Sequence, residues 1–326
     1  FGRADLLAAY DHLIGRWHSQ AGNRLRAAVS VSAPQRVSPG YFADLDRLSR
    51  AHDLPIYAHM LETKLQRVLK DEQSRFGGRS LVRYTADLGL LSERMNIIHA
   101  IWVDDADLDL IASSGATIAH NPISNLRLGS GVMPFRRIRD HGIPVCLGTD
   151  EAIADDSVNM WGVAKMAGLI HNISGANPDL WPTATEVLGC LTEGGARAMR
   201  LGRDAGAVAV GRLADLALVD LDALPFTPLN DLHRQLVYCE NGSSVRMTVV
   251  AGQVVYDGTR VTMVDEVDLL AEARDLFRAR QPALEAARRA ADRWLSAYRA
   301  MVGRAAMRDV GFNRWVGDAA LGEERV

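Results

Sequence analysis

The stretch that decides the fold is residues 116–150, ATIAHNPISNLRLGSGVMPFRRIRDHGIPVCLGTD. It opens with an apolar run that ends at His120, continues through helix-like spacing over residues 134–141, and closes with an apolar run that ends at Asp150. Continuous apolar runs joined by an amphipathic helix are typical of parallel strands buried on both faces. The stretch therefore predicts one β-α-β unit of a parallel α/β fold.

The same pattern extends towards the N-terminus. We predict three further strands and two further helices, the strands at residues 25–33, 54–59 and 95–101 and the helices at 39–53 and 104–114. Repeated βα units favour either a barrel or a doubly wound sheet. An eight-stranded barrel would need three more strands, and we expect those to precede the first residue of the chain.

The pattern changes after residue 205, the predicted end of a first domain that spans residues 1–205. Residues 206–262 are predicted to form part of a small β domain, with β-rich runs at 207–210, 215–219, 245–250 and 253–256. Gly252 and its neighbour predict a hairpin between the last two runs. Residues 263–326 show helical spacing of Leu and Ala, and we expect a helical segment that packs on the first domain.

Composition restricts the partners that the protein can have. The 326 residues are 48% hydrophobic and 24% charged, with a net charge of -3. This charge offers no basic surface to nucleic acid or to an anionic membrane, and no apolar run approaches the roughly 20 residues that span a bilayer. The three cysteines are odd in number and far apart, which indicates no disulfide framework and favours a cytoplasmic protein. A homodimer is expected only from the frequency of homodimers among oligomeric proteins.

Polar side chains end four of the predicted strands, namely His59, His99, His120 and Asp150. In parallel α/β folds the carboxyl ends of the strands face a common cleft. Imidazole and carboxylate groups together suit zinc or a similar divalent ion. One such histidine is more often an ordinary core residue, and it is the repetition over four strands that predicts a metal site. Glu62 follows His59 by three residues and is placed to shuttle a proton.

This ordered set of residues resembles the amidohydrolase superfamily. It is most similar to the branch that holds triazine hydrolases, guanine deaminase and S-adenosylhomocysteine/methylthioadenosine deaminases. The resemblance covers about residues 33–256 and rests on these motifs: HxxET from His59, the isolated His99, HNPxSNLxL from His120, LGTD ending at Asp150, GRLADL at 211–216 and VVAG at 249–252.

The resemblance implies a (β/α)8 barrel with a small β-sandwich domain and one divalent metal ion, zinc first and iron as the alternative. It implies that His59, His99 and Asp150 bind this metal. It implies catalytic roles for Glu62 as the proton shuttle, for Asp150 as the base, and for His99 and His120 in stabilising the tetrahedral species. His120 would not bind the metal.

Four further residues are expected to bind substrate: Gln35, Ser124, Asn125 and Glu151. Ser124 and Asn125 belong to the motif after His120 and are expected at the pocket rim. Gln35 and Glu151 stand where relatives often have histidine and glycine, so both positions bear on specificity. Five other histidines receive no role: His18, His52, His141, His171 and His233.

The implied function is hydrolytic deamination of an aminated heterocycle (a purine, pterin, pyrimidine or triazine-like compound) by a metal-activated water, with chlorohydrolase chemistry as the second choice. The family's first metal-binding pair, His-x-His, is absent from this sequence. We therefore expect that the chain lacks the N-terminal third of the barrel. The alternative function is that of an N-terminally truncated, catalytically silent barrel fragment that acts as a binding or assembly module.

Overall fold

Five parallel strands form the central sheet of the protein. A computed structural model describes residues 2–316, and its parallel sheet has the order β1-β2-β3-β4-β5. The strands are β1 (Val29–Ser32), β2 (Ile56–Met60), β3 (Met95–His99), β4 (Thr117–His120) and β5 (Val145–Leu147). All five predicted strands are therefore confirmed. The last part of the predicted C-terminal segment, residues 317–326, lies outside the described residues.

Burial on both faces of this sheet explains why its strands read as continuous apolar runs. All four residues of β4 and all three of β5 are buried. Ile97 and Ile118, at the centre of the sheet, are fully inaccessible to solvent. Such strands need packed side chains on both faces, because neither face can be left in contact with water.

Helices connect the strands and cover the sheet. Helix α3 (Pro39–His52) begins after Ser38, whose side chain accepts a hydrogen bond from the Tyr41 amide. Helix α6 (Asp105–Ser114) begins with a capping box at Asp104 and is capped at its C-terminus by Gly115. Such caps satisfy backbone groups that the helix leaves unpaired. The helices are α1 (Arg3–Trp17), α2 (Gln20–Asn23), α3 (Pro39–His52), α4 (Lys64–Glu72), α5 (Leu81–Asp87), α6 (Asp105–Ser114), α7 (Pro122–Arg127), α8 (Phe135–Asp140), α9 (Ala152–Asp155), α10 (Met160–Ile170), α11 (Ala184–Gly189), α12 (Gly195–Ala198), α13 (Leu232–Tyr238), α14 (Glu266–Asp292) and α15 (Leu295–Ala306).

Both outer strands of the parallel sheet are covered. On β1, the Tyr10 hydroxyl accepts a hydrogen bond from the Ser30 amide at 3.0 Å and donates one to the Ser30 carbonyl at 3.1 Å. On β5, a π-helical turn (Cys190–Gly194) packs so closely that a Cβ atom on Gly194 would lie 2.1 Å from the Val145 carbonyl oxygen. Covering edge strands in this way satisfies or shields their free backbone groups.

The small β domain contains a three-stranded antiparallel sheet of order β6-β7-β8, formed by β6 (Leu216–Val219), β7 (Val245–Val250) and β8 (Gln253–Tyr256). The predicted hairpin is confirmed, since Ala251 and Gly252 join β7 to β8 with φ angles of 49° and 78°. The prediction of a strand at residues 207–210 is wrong. This run pairs with no strand of the described residues, and Val208 and Val210 are fully exposed or nearly so.

The C-terminal helices differ in how they contact the rest of the protein. Helix α15 packs against α4, with Ala305 buried and the Lys64 ammonium donating to the Ala306 carbonyl at 2.8 Å. Helix α14 buries none of its residues, so the predicted packing fails there. Its Leu and Phe side chains instead face open solvent. Within residues 2–316, no helix combines the length and apolar character that a bilayer span requires.

Candidate metal centre

Three predicted metal ligands meet at the carboxyl edge of the parallel sheet. His59 is the second-last residue of β2, His99 is the last residue of β3, and Asp150 follows β5. One ligand atom from each of the three residues lies within 4.8 Å of the other two. They converge because β2 and β3 run parallel in close register, with Met60 opposite His99, so that successive strands deliver their ends to one point.

The ring of His59 is oriented by the end of β1. Its Nδ1 atom lies 2.7 Å from the Ser32 carbonyl oxygen, and because a carbonyl only accepts, Nδ1 is the donor. The pairing of β1 with β2 shifts register between Ser30 and Ser32, and Ser32 has a φ of 59°. This irregularity turns the carbonyl towards the ring. The Nε2 atom of His59 is left with its lone pair for a metal.

The ring of His99 is held in the same way by a side chain. Its Nδ1 atom donates to Asn125 Oδ1 at 2.8 Å, while Nε2 is buried and has no hydrogen-bond partner among the described residues. Burial lowers the pKa of His99, which favours the neutral ring that a metal requires. The residue has a φ of 76°. Such left-handed backbone in a bulky residue is strained and is often found at functional sites.

Asp150 is held by neighbours on both oxygens. Ser124 Oγ donates to Oδ2 at 2.7 Å, and the Glu151 amide donates to Oδ1 at 2.9 Å. Asp150 Oδ2 is also 3.6 Å from His99 Nε2. Two residues earlier, a Cβ atom on Gly148 would lie 2.5 Å from Asn121 Oδ1. Glycine at this position therefore lets the chain pass the Asn121 side chain on its way to Asp150 without displacing it.

Glu62 lies beside the three ligands, as its spacing from His59 suggests. Its Oε2 atom is 3.9 Å from His99 Nε2, and its Oε1 atom accepts a hydrogen bond from Ser130 Oγ at 3.4 Å. Its backbone amide donates to Gln66 Oε1 at 2.9 Å. No sequence signal marks Ser130, which lies 68 residues away and contributes a single hydroxyl group.

His120 lies outside the group of three ligands and contacts a second buried histidine. The Nε2 atoms of His120 and His171 are 3.1 Å apart, and His120 Nδ1 has no partner among the described residues. Burial lowers the pKa of His120 well below its ordinary value and lowers that of His171 to about 4. His171 had no predicted role because it follows a helix rather than a strand. Its ring also stacks on Phe135, with centroids 5.1 Å apart.

Of the four predicted substrate-binding residues, three have buried side-chain atoms and the fourth has an exposed side chain. Ser124 and Asn125 are buried behind the metal ligands rather than at a rim, although Asn125 Nδ2 has no acceptor in the described part of the chain. Gln35 lies just after β1, with Oε1 buried and also unpaired. The side chain of Glu151 is exposed, and its contact with the site comes from its backbone amide.

This donor set fits a divalent metal ion. Two imidazoles keep Nε2 free while Nδ1 donates elsewhere, one of those Nε2 atoms is buried without a partner, and a carboxylate lies beside them. Three protein ligands of this kind with a position left for water or substrate are typical of catalytic zinc sites. The parallel α/β fold and these ligands at its carboxyl edge together place the protein in the class that binds a single divalent metal ion.

Comparison with known proteins identifies the family. The amidohydrolase family profile matches residues 4–255, and the chain belongs to this family. It is 32% identical over 84% of its length to the 5'-deoxyadenosine deaminase of Methanosarcina acetivorans. It is 37% identical over 78% of its length to the 5-methylthioadenosine/S-adenosylhomocysteine deaminase of Nitratidesulfovibrio vulgaris. It covers 62% and 57% of those two relatives, less than two thirds of their lengths.

The fold comparison agrees with the sequence comparison. The crystal structure of an adenosine deaminase from Xanthomonas campestris with bound zinc superposes with a TM-score of 0.78 at 28% identity. The superposition covers 84% of this chain and 61% of that one. The predicted family and its (β/α)8 barrel class are thereby confirmed, and the parallel sheet is the part of such a barrel that the described residues contain.

Proposed function

We propose that this chain carries the metal and proton-transfer residues of a hydrolytic deaminase that acts on an aminated heterocycle. One observation carries the proposal: His59, His99 and Asp150 offer ligand atoms within 4.8 Å of one another, with the Glu62 carboxylate 3.9 Å from His99 Nε2. Metal ligands and a proton-transferring carboxylate at one strand edge are what hydrolysis of a carbon–nitrogen bond requires. We also propose that the chain divides into three parts, with boundaries at about residues 205 and 262. We further propose that the protein is cytoplasmic.

The ligands proposed for the metal are His59, His99 and Asp150. Zinc is the first choice, since nitrogen and oxygen donors suit it and the Xanthomonas campestris adenosine deaminase is described with bound zinc. Iron accepts the same donors and is the alternative. Bound there, the ion would act as a Lewis acid and make a water nucleophilic near neutral pH.

The proton transfers are assigned to the two carboxylates. Asp150, held by Ser124, takes a proton from water as the water oxygen bonds to the ring carbon, and the carbon–nitrogen π pair moves to the adjacent ring nitrogen, which takes a proton from protonated Glu62, held by Ser130. Asp150 then passes its proton to the amino group, and the hydroxyl proton returns to Glu62 as the ring carbonyl forms, the bond to the amino nitrogen breaks and ammonia leaves. The products are the ring carbonyl compound and ammonia, which balances the water consumed.

The remaining polar groups are assigned to the substrate and to the tetrahedral species. His99 and His120 stabilise developing charge, and His171 holds the His120 ring. The unpaired amide atoms of Gln35 and Asn125 are proposed to accept and donate hydrogen bonds to the heterocycle. Glu151 is proposed to contact substrate from the exposed side of the site.

The first substrate class to test is the 6-aminopurine nucleosides. The relatives described above are deaminases of 5'-deoxyadenosine, of methylthioadenosine and S-adenosylhomocysteine, and of adenosine. Because the chain spans less than two thirds of each of these three proteins, the assay uses both the 326-residue chain and any longer natural chain that contains it. Aminopyrimidines, pterins and triazines complete the panel.

The test is ammonia release by zinc-loaded protein, with Asp150→Asn as the inactivating variant. The matched control is Asp109→Asn, which removes a carboxylate that is 74% exposed on α6. We expect Asp150→Asn to lower kcat by at least about a thousandfold, the scale of losing a group that acts in the transition state, and Asp109→Asn to leave it unchanged. Full turnover in Asp150→Asn would refute the assignment.

A further inference from the structure

The segment after α15, residues 307–316, crosses two loops at the carboxyl edge of the parallel sheet, and we call it the C-terminal strap. The first loop, residues 100–103, directly follows His99 and is called the β3 loop. The second, residues 129–132, follows α7 and is called the α7 loop. The strap therefore lies over the two loops that border the metal ligands.

Arg314 ties the strap to both loops. Its guanidinium group donates to the Ile101 carbonyl at 3.0 Å and to the Val103 carbonyl at 2.9 Å. Its own carbonyl accepts a hydrogen bond from the Val132 amide at 2.7 Å. Burial lowers the pKa of Arg314 to about 10, so the group stays charged at neutral pH. Gly131 allows this contact, since it has a φ of 115° and a Cβ atom there would lie 2.9 Å from the Arg314 carbonyl oxygen.

Aromatic side chains reinforce the same connection. Trp315 Nε1 donates to the Gly129 carbonyl at 3.0 Å, and its ring meets the fully buried ring of Trp102 edge-on with centroids 5.0 Å apart. Trp102 Nε1 in turn donates to the Ser130 carbonyl at 2.8 Å. Phe312 stacks on Trp102 with centroids 6.1 Å apart. The strap and both loops thus form one packed and hydrogen-bonded unit.

Both loops lead to Glu62. The amides of Ile101 and Trp102 in the β3 loop donate to the Leu61 carbonyl at 3.1 and 2.8 Å, and Leu61 directly precedes Glu62 with a φ of 54°. In the α7 loop, Ser130 Oγ donates to Glu62 Oε1 at 3.4 Å. The backbone of Glu62 is therefore fixed by one loop and its carboxylate is contacted by the other.

We propose that Arg314 is a positioning residue for Glu62. It contacts neither the metal ligands nor the proton-transferring carboxylate, and it acts by holding the β3 loop and the α7 loop in register with each other. The effect is to keep the Glu62 carboxylate at its observed 3.9 Å from His99 Nε2. This inference rests on the proton-transfer role of Glu62 in the proposed function.

A strap that merely covers apolar surface would behave differently in two respects. Loss of such cover would lower stability without a specific effect on the chemical step. Loss of a positioning contact lowers kcat more than it changes KM, and it has no effect once Glu62 can no longer transfer a proton, because coupled residues give non-additive effects.

The experiment compares Arg314→Met with the control Arg308→Met in the wild-type and Glu62→Gln backgrounds. Arg308 lies on the same strap but pairs with Glu72 on α4, away from both loops. We expect Arg314→Met to lower kcat by about tenfold to a hundredfold, since small displacements of reacting groups have effects of this size, with KM and zinc content nearly unchanged. Arg308→Met should leave kcat unchanged. In Glu62→Gln, Arg314→Met should cause no further loss, and the same fold-loss in both backgrounds would overturn the proposal.

A second measurement covers the cases in which Arg314→Met does not fold or no substrate is turned over. Arg314→Lys keeps the charge but loses the planar fork that bridges two carbonyls. We expect hydrogen exchange in Arg314→Lys to be at least about tenfold faster in both loops than in Arg308→Met. Unchanged exchange in both loops would overturn the proposal, whatever the activity. Absence of ammonia release in wild-type protein with slow loop exchange would instead refute the proposed function alone.

Discussion

The parallel sheet and the antiparallel sheet of this protein differ in burial, and the difference explains where chemistry can be placed. Every residue of β4 and β5 is buried, whereas none of the residues of β6, β7 and β8 is. In a strand with two apolar faces, a polar residue at the carboxyl end stands out in the sequence. It lies at the edge that all the parallel strands share. In a half-exposed strand, polar residues are ordinary and indicate no site. His59 and His99 lie at the ends of strands of the parallel sheet, and Asp150 follows another strand of it.

The largest expected effect tests how tightly the parallel sheet is covered at β5. Gly194 and Gly195 are adjacent and both helical, but a Cβ atom on Gly194 would lie 2.1 Å from the Val145 carbonyl oxygen while one on Gly195 meets nothing within 4 Å. We expect Gly194→Ala to lower the free energy of unfolding by more than about 3 kcal/mol, because a backbone atom must move. Gly195→Ala should be neutral or raise it by up to about 1 kcal/mol. Urea unfolding measures the stability of both variants. Equal free energies of unfolding would mean that the β5 edge is not closely covered.

The next prediction compares the two sheets directly. Ile97 in β3 is fully buried and Val254 in β8 is 40% exposed. Ile97→Ala should lower the free energy of unfolding by about 2–5 kcal/mol through lost burial and a cavity. Val254→Ala should cost less than about 1 kcal/mol. Thermal and urea denaturation measure both, and a larger loss from the β8 substitution would reverse the comparison.

The third prediction concerns pH, through the buried histidine behind β4. Burial lowers the pKa of His171 to about 4, whereas the unfolded chain titrates near 6.5. Between these values the unfolded state binds a proton that the folded state does not, so stability falls as pH falls from about 6.5 to about 4 and this contribution is constant above that window. The pKa difference corresponds to a loss of up to about 3 kcal/mol. Urea unfolding of metal-free protein from pH 4 to pH 8 measures it.

The comparison variant for this pH dependence is His171→Phe. Phenylalanine keeps the stacking on Phe135 and carries no titratable group. Its stability should therefore depend less steeply on pH within the window than that of wild-type protein. An identical slope in the two proteins would show that His171 does not remain neutral in the folded state.

The smallest expected effect belongs to α14. Phe277 and Leu284 are 58% and 51% exposed, and no residue of this helix is buried. Substituting each by alanine should change the free energy of unfolding by no more than about 0.5 kcal/mol, since alanine also favours helix and little burial is lost. A cost above about 2 kcal/mol in chemical denaturation would show that α14 is covered in solution.

Much of the parallel sheet could be predicted from sequence because strand burial leaves a direct signature. The five apolar runs, their order and the polar residues at their ends sufficed to bring His59, His99 and Asp150 to one edge. The run at residues 207–210 has the same apolar character and forms no strand. It lacks a partner strand, and pairing is a property of distant segments that local composition does not carry.

Three of the contacts that support the site were beyond sequence reasoning. The acceptor for His59 is the backbone carbonyl of Ser32, which has no side-chain signature at all. The neighbour of His120 is His171, 51 residues further along and after a helix. The strap residue Arg314 lies 213 residues from the Ile101 carbonyl it binds. Each of these contacts depends on how loops and helices pack, which strand periodicity does not specify.

The most direct test of the account is the zinc content and zinc-edge X-ray absorption of purified protein after zinc loading. We predict one ion per chain with imidazole nitrogen at about 2.0–2.1 Å. The combined variant His59→Gln, His99→Gln and Asp150→Asn should lose that ion, and the control variant His52→Gln with Asp109→Asn should keep it. A full complement of zinc in the combined variant, or no zinc bound by the wild-type chain, would contradict the assignment of the metal centre.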